Sequence, residues 1–146
     1  MNQTGISDLE KRLEKLRPTS KGLWGHMQVM EMIRHCNAVN HLILSGVQSN
    51  RKSLFKQQIA KILFVKLPFR IPKNLKAPKI IQPAKEKATM ESFDEEKAMY
   101  LQIIRQFPSH RFPLKMYHPA FGNLSPKEWG VAAWRHMDHH LRQFGV

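Results

Sequence analysis

Apolar residues recur at helical spacing in five stretches of the chain, and most of these stretches are bounded by residues typical of a helix terminus. The first follows a capping box at Ser7–Glu10 and stops at Pro18. The second runs from about His26 to Leu44 and ends at Gly46. The third, Leu54 to Phe64, lacks strong capping residues. These spacings predict three helices before residue 66.

Two further capping boxes predict helices later in the chain. Ser92–Glu95 opens a helix that extends to about Gln106, and Phe107-Pro108 closes it. Ser125–Glu128 places serine at the cap, proline at the first helical position and glutamate at the third, before a helix that runs almost to the C-terminus. Because no stretch alternates as a strand does, we expect an all-α fold. Four main helices with one long connection indicate a bundle.

The connection between the third and fourth helices is basic and rich in proline. The length of 146 residues favours a single domain over residues 1–146. The formal net charge of +13 favours an anionic partner. The segment from about residue 66 to 90 contains Pro68, Pro72, Pro78 and Pro83 and is predicted to be irregular. Three interpretations remain open for it: a solvated loop, an arm that attracts an anionic small molecule, and a nucleic-acid surface. Sparse aromatic residues disfavour the third.

Three further features of the sequence bear on the cellular location of the protein. Cys36 is the only cysteine and therefore cannot form an intramolecular disulfide. The segment Met1 to Arg17 is charged and amphipathic, unlike the apolar stretch of a signal peptide. No run approaches the ~20 apolar residues of a membrane-spanning helix. We expect a cytoplasmic protein without a membrane partner.

The histidines of the last helix are the clearest candidates for chemistry. His136 and His140 are four residues apart, so their side chains lie ~40° apart on the helix, at the edge of its apolar face. His35 occupies a similar edge of the second helix, with Glu31 one turn before it. The three histidines predict a metal site if those edges face each other; the pair is equally compatible with surface or core-edge histidines. Cys36 is interpreted as a small buried apolar residue.

His110 and His118 lie in the segment from Pro108 to Leu124, which the sequence predicts to be irregular. Histidines in such segments usually make hydrogen bonds to the backbone or lie at the surface. His139 points away from the pair formed by His136 and His140. These three histidines are therefore not predicted to be ligands.

Four blocks of the sequence match a known family pattern. They are Leu23–Met27 (LWGHM), Met32–Cys36 (MIRHC), His118–Gly122 (HPAFG) and Trp129–Gly145, which ends in HMDHHLRQFG. With their C-terminal HxxxH-L-R-Q-F-G motif, these blocks resemble a small branch of the DinB/YfiT-like superfamily. The resemblance extends from Leu23 to the C-terminus, and the middle of the chain is matched weakly.

The resemblance implies a four-helix bundle with a long crossover loop, frequently as a homodimer. It also implies a three-histidine site for a divalent metal, with one ligand from the second helix and an HxxxH pair from the last. The matching positions are His35, His136 and His140, the same three that the helical spacing selects.

A site of three neutral imidazoles with an open position is typical of a catalytic metal centre. We therefore expect a metal-dependent enzyme, either a hydrolase or an S-transferase that uses a low-molecular-weight thiol, with zinc, nickel or iron(II) as the metal. The substrate would be a small molecule, anionic or a thiol. Glu31 is the candidate general base or hydrogen-bond partner of a metal ligand, although an exposed carboxylate without a catalytic role is the alternative. The rival functions are a non-catalytic binding bundle and a basic nucleic-acid-binding module.

Overall fold

The computed structural model describes residues 1–46, 48–67, 69–74, 89–113 and 116–146, and these are mostly helical. The helices are α1 (Gln3–Leu13), α2 (Val29–Leu44), α3 (Phe55–Lys61), α4 (Met90–Ile104) and α5 (Pro126–Gln143), and a π-helical turn at Ile62–Lys66 continues α3. Two short strands, β1 (Met116–His118) and β2 (Gly122–Leu124), precede α5. Within the described ranges, no helix is both long and apolar enough to cross a membrane.

Four helices enclose the core. α1 contacts α5, α5 contacts α2, α2 contacts α4, and α4 contacts α1. Large side chains from all four are almost completely removed from solvent: Ile6, Leu9, Leu13, Met32, Ile33, Phe93, Tyr100, Ile104, Met137 and Leu141. Burial of this apolar surface is the main favourable contribution to folding. The arrangement places α2 beside α5, the two helices that carry the predicted ligands.

The predicted starts of α1 and α2 were wrong by a few residues. The side chain of Asn2 accepts from the Gly5 amide at 3.0 Å, so α1 begins at Gln3 and Ser7 lies inside it. The second helix begins at Val29 and not at His26, because Gln28 is its N-cap. A side-chain cap upstream of Ser7 moves the start of α1 earlier, whereas the start of α2 lies later, where the Glu31 carboxylate accepts from the Gln28 amide.

The later caps gave one correction and one confirmation. α4 begins at Met90 because the Thr89 hydroxyl accepts from the Ser92 amide at 3.1 Å, so Ser92 is not the cap. In α5, the Ser125 amide donates to the Glu128 carboxylate at 2.9 Å, and the Ser125 hydroxyl accepts from the Glu128 amide at 3.4 Å. The capping box predicted at Ser125–Glu128 is therefore confirmed.

The expectation that the fold contains no strand was wrong. β1 and β2 pair antiparallel, with Met116 opposite Leu124 and His118 opposite Gly122. Gly122 has a φ of +68°, and a Cβ there would collide with the Ser53 side chain. Strands of three residues are too short to show alternation in the sequence, which explains why the hairpin was missed.

The start of the proline-rich segment lies along α5. The guanidinium of Arg135 donates to the carbonyl oxygens of Phe64, Leu67 and Phe69. Residues 69–74 contain no helix or strand, as predicted for this part of the segment. Pro68 and residues 75–88, with Pro78 and Pro83, lie outside the described residues.

Candidate metal centre

Three histidine side chains converge between α2 and α5. His35 projects from α2, and His136 and His140 project from successive turns of α5. One ring nitrogen from each lies within 4.8 Å of the other two. The ring centroids are 5.0 Å apart for His35 and His136, 4.9 Å for His35 and His140, and 4.7 Å for His136 and His140. The residues selected by helical spacing are thus brought together.

The spacing of these nitrogens is compatible with one shared cation. Nε2 of His35 lies 3.0 Å from Nε2 of His136. Two imidazole nitrogens each about 2.0–2.1 Å from one zinc ion would be separated by about 3.0–3.4 Å, depending on the angle between them. A direct N–H···N hydrogen bond between two neutral rings has a similar length. The donor set fits zinc, nickel or iron(II), which all accept imidazole.

Burial keeps His136 and His140 neutral. The pKa of His140 is lowered to about 3, first by desolvation and then by repulsion from His35. The pKa of His136 is lowered well below its ordinary value by desolvation and by repulsion from neighbouring histidines. A neutral imidazole has a lone pair available for a metal, whereas a protonated one has none. His136 and His140 therefore each present a lone pair at neutral pH.

A glutamine orients the His140 ring. Nδ1 of His140 lies 3.0 Å from the side-chain oxygen of Gln143. The amide nitrogen of Gln143 donates to the carbonyl oxygen of Trp24 at 2.9 Å, which assigns the amide orientation. Because the Gln143 oxygen can only accept, Nδ1 of His140 carries the proton and its Nε2 carries the lone pair. Metal-ligating histidines commonly have such a partner.

The segment before α2 lies close against Gln143. The amide of Leu23 donates to the Gln143 carbonyl oxygen at 2.7 Å, and Gly25 adopts a φ of +77°. A Cβ at Gly25 would lie 2.7 Å from the side-chain nitrogen of Gln143. Glycine is therefore required at this position for both conformation and space.

His139 contacts the cluster without belonging to it. Its ring centroid is 5.3 Å from that of His140 and 5.9 Å from that of Trp24. Desolvation lowers its pKa, as does the nearby Arg142. His139 is not among the three residues whose ligand atoms converge. Its assignment as a histidine outside the ligand set agrees with this geometry.

His118 is held by the turn between β1 and β2. Its Nδ1 accepts from the amides of Ala120 and Phe121 at 3.0 and 3.3 Å. The predicted hydrogen bond to the backbone is therefore confirmed. Desolvation lowers the pKa of His118 to about 4.

Of the remaining histidines, His26 and His41 are exposed. The ring of His110 packs against Phe112, with centroids 4.4 Å apart. None of these three is part of the cluster of convergent ligand atoms among the described residues.

Glu31 and Cys36 have other partners. The carboxylate of Glu31 accepts from the Gln28 amide at 2.8 Å and caps α2. Its assignment as a general base stays a prediction. Cys36 is fully buried, and desolvation raises the pKa of its thiol. A buried thiol of this kind is a poor nucleophile, in agreement with its interpretation as a core residue.

Gln143 and Trp24 are the residues of the site that sequence reasoning missed. A glutamine three residues after a ligand histidine lies on the same face of the helix, and this spacing was the available signal for Gln143. Trp24 contributes a backbone carbonyl, which no residue type reveals.

Sequence comparison places the chain in a family. A sequence profile for DUF1569, a family of proteins of unknown function, matches residues 4–145. No curated protein and no solved structure shows significant similarity to the chain. The matched range includes His35, His136 and His140 and covers nearly the whole sequence. The chain therefore belongs to the DUF1569 family.

Proposed function

We propose that this protein is a divalent-metal-dependent enzyme whose metal is held by His35, His136 and His140. The observation that carries the proposal is the convergence of three imidazole nitrogens within 4.8 Å from two different helices. A neutral imidazole has one ring nitrogen with a lone pair available for a metal. One shared cation could therefore be bound by all three side chains together.

The reaction class follows from the ligand set. The chemistry that a divalent ion supplies with three imidazole ligands and an open position is Lewis acidity, which lowers the pKa of water or a thiol toward neutrality. We propose a hydrolase or an S-transferase that uses a low-molecular-weight thiol. In either case His35, His136 and His140 bind the ion, and Gln143 holds the His140 ring in the ligating tautomer.

The arrangement of the helices is compatible with the superfamily that the sequence motifs resemble. We propose that α1, α2, α4 and α5 form a DinB/YfiT-like four-helix bundle, with residues between α2 and α4 as the long crossover. The contacts of these four helices in a ring support this topology. A homodimer is part of the proposal, and light scattering of the purified protein tests it.

Metal analysis tests the proposed site. Wild-type protein, purified without chelator and without an affinity tag that binds metal, is expected to carry about one divalent ion per chain. His35→Ala, His136→Ala and His140→Ala should each lose that ion. His41→Ala is the matched control, because His41 is an exposed histidine of the same helix as His35.

Two results would overturn the site. One is the absence of stoichiometric zinc, nickel or iron both after purification and after reconstitution with each ion. The other is unchanged loading in all three variants. Circular dichroism of each variant separates loss of metal from loss of the fold.

A further inference from the structure

The ring of His118 is fixed in position and in tautomer. Its Nδ1 accepts two backbone amides, from Ala120 at 3.0 Å and Phe121 at 3.3 Å. The ring stacks on Phe121 with centroids 4.4 Å apart and an interplanar angle of 21°. Because Nδ1 is an acceptor, the proton of the neutral ring is on Nε2. Among the described residues, no group accepts a hydrogen bond from that Nε2–H.

His118 lies on the same side of α5 as the histidine cluster. Its ring centroid is 5.2 Å from that of Trp129. Trp129 and His136 are seven residues apart, about two turns, and therefore share one face of α5. Repulsion from His118 is also among the causes that lower the pKa of His136. Both relationships put the imidazole of His118 on the His136 side of the cluster.

That side also carries the least buried of the three histidines. His35 and His140 expose 3% and 9% of their surface, and His136 is intermediate in exposure. On this side of the cluster, the Nε2–H of His118 is a hydrogen-bond donor without a described protein partner.

We propose that His118 binds an oxygen atom of the substrate through its Nε2–H. The inference rests on the proposed metal site and adds to it a substrate class, namely molecules with a carboxylate, ester or amide oxygen placed beside the ligating atom. His118 remains a neutral donor at neutral pH because desolvation lowers its pKa to about 4. A neutral imidazole in a fixed orientation can stabilise negative charge on such an oxygen without transferring a proton.

The two ring nitrogens of His118 allow this role to be separated from a structural one. Asparagine at this position offers a side-chain oxygen that can accept the amides two and three residues later, as in an Asx turn. His118→Asn therefore keeps the acceptor at the turn and removes the Nε2–H. His118→Gln is the complementary variant, because its amide nitrogen reaches toward the position of Nε2.

Ligand titration of cobalt(II)-substituted protein tests the proposal, with visible absorption as the readout. Acetate is the oxygen-containing probe, and ethanethiol is the matched probe that has no oxygen. His118→Asn is expected to bind acetate about tenfold more weakly than wild type, the scale of a hydrogen bond to a charged group. Ethanethiol binding should be unchanged, and His118→Gln should recover part of the acetate affinity.

The outcomes distinguish the two proposals. If wild-type protein takes up no cobalt(II) at the histidines, the proposed metal site fails. If cobalt(II) binds and His118→Asn retains wild-type affinity for acetate, His118 holds only the turn and the inference is overturned. Equal weakening of acetate and ethanethiol would also overturn it, because the effect would then arise at the metal.

Discussion

The side-chain oxygen of Gln143 lies 3.0 Å from Nδ1 of His140, and the same amide donates to the Trp24 carbonyl. A neutral amide thus links the last helix, the proposed ligand and the segment before α2. An amide oxygen orients the ring as a carboxylate would, but it adds no charge to the buried site. The charge of a bound metal would therefore not be compensated by Gln143.

Removal of this link should weaken metal binding. Gln143→Ala is expected to lower metal affinity about 10- to 100-fold, the usual effect of losing the partner of a ligating histidine. Competition with a chromophoric chelator measures it. Gln106→Ala, at an exposed position, is the control and should leave the affinity unchanged. Wild-type affinity in Gln143→Ala would show that the ring is held by packing alone.

Gly25 and Gly145 provide a matched pair of substitutions. Both have a φ of +77°, so alanine at either position is strained by about 1–2 kcal/mol. Only at Gly25 would the new Cβ lie 2.7 Å from the Gln143 nitrogen, whereas at Gly145 it would lie 3.6 Å from Leu23. Both variants should lose stability in urea, but only Gly25→Ala should also lose metal affinity. Equal affinities in the two variants would contradict the proposed coupling.

The stability of the metal-free protein should depend on pH through His118. Its pKa is lowered from 6.5 to about 4 in the folded state. Between these values the unfolded chain binds a proton that the folded chain does not. The contribution of His118 to stability therefore rises with pH across the window and is lost as pH falls from 6.5 toward 4, by up to about 1.4 kcal/mol per pH unit.

Urea unfolding in the presence of chelator at several pH values measures this dependence. His118→Asn lacks the titrating group, so the free energy of unfolding should vary less with pH in this variant. Above pH 6.5 the two curves should run parallel. Parallel curves over the whole range would show that His118 keeps an ordinary pKa in the folded protein.

Charge at the start of the proline-rich segment should favour anionic ligands. Lys73 is exposed, and its ammonium lies 4.5 Å from the Trp24 ring centroid, near the segment that holds Gln143. Lys73→Gln is expected to weaken acetate binding about two- to fivefold at low salt, as for an exposed charge pair. Binding of imidazole, a neutral ligand, to the same cobalt(II)-substituted protein should not change, and high salt should abolish the difference for acetate. Lys11→Gln removes an equal charge from α1 and serves as the control; the same loss there would exclude a local effect.

Regular helices and their spacing were the predictable part of the site. His136 and His140 could be paired from sequence because a four-residue interval has one geometric meaning on a helix. His35 followed because the apolar stripe of its helix fixes which edge faces the core. The five helical segments were found for the same reason, with the boundaries of α5 set by Ser125 and Pro126.

The unpredicted features depend on contacts between distant segments. The Gln143 side chain donates a hydrogen bond to the Trp24 carbonyl, 119 residues away in the sequence. The Asn123 amide donates to the Ser53 hydroxyl, 70 residues away. The hairpin needs Gly122 to approach Ser53, which no local pattern signals. The role of Glu31 as a base was inferred from its face on the helix, whereas its partner is the Gln28 amide at the helix start. Local periodicity predicts on which face of a helix a side chain lies, but not which residue of another segment contacts it.

The π-helical turn at Ile62–Lys66 has a consequence for chain length. A π turn contains one residue more than the equivalent stretch of α-helix, and here the Leu67 amide closes it onto the Ile62 carbonyl at 2.8 Å. The carbonyls of Leu67 and Phe69, which follow the turn, accept from Arg135, the residue immediately before His136. An insertion or deletion of one residue in this turn would rotate the following chain by about 100° and remove those carbonyls from Arg135. The spacing between α3 and the basic segment is therefore constrained by the same helix that carries two of the proposed metal ligands.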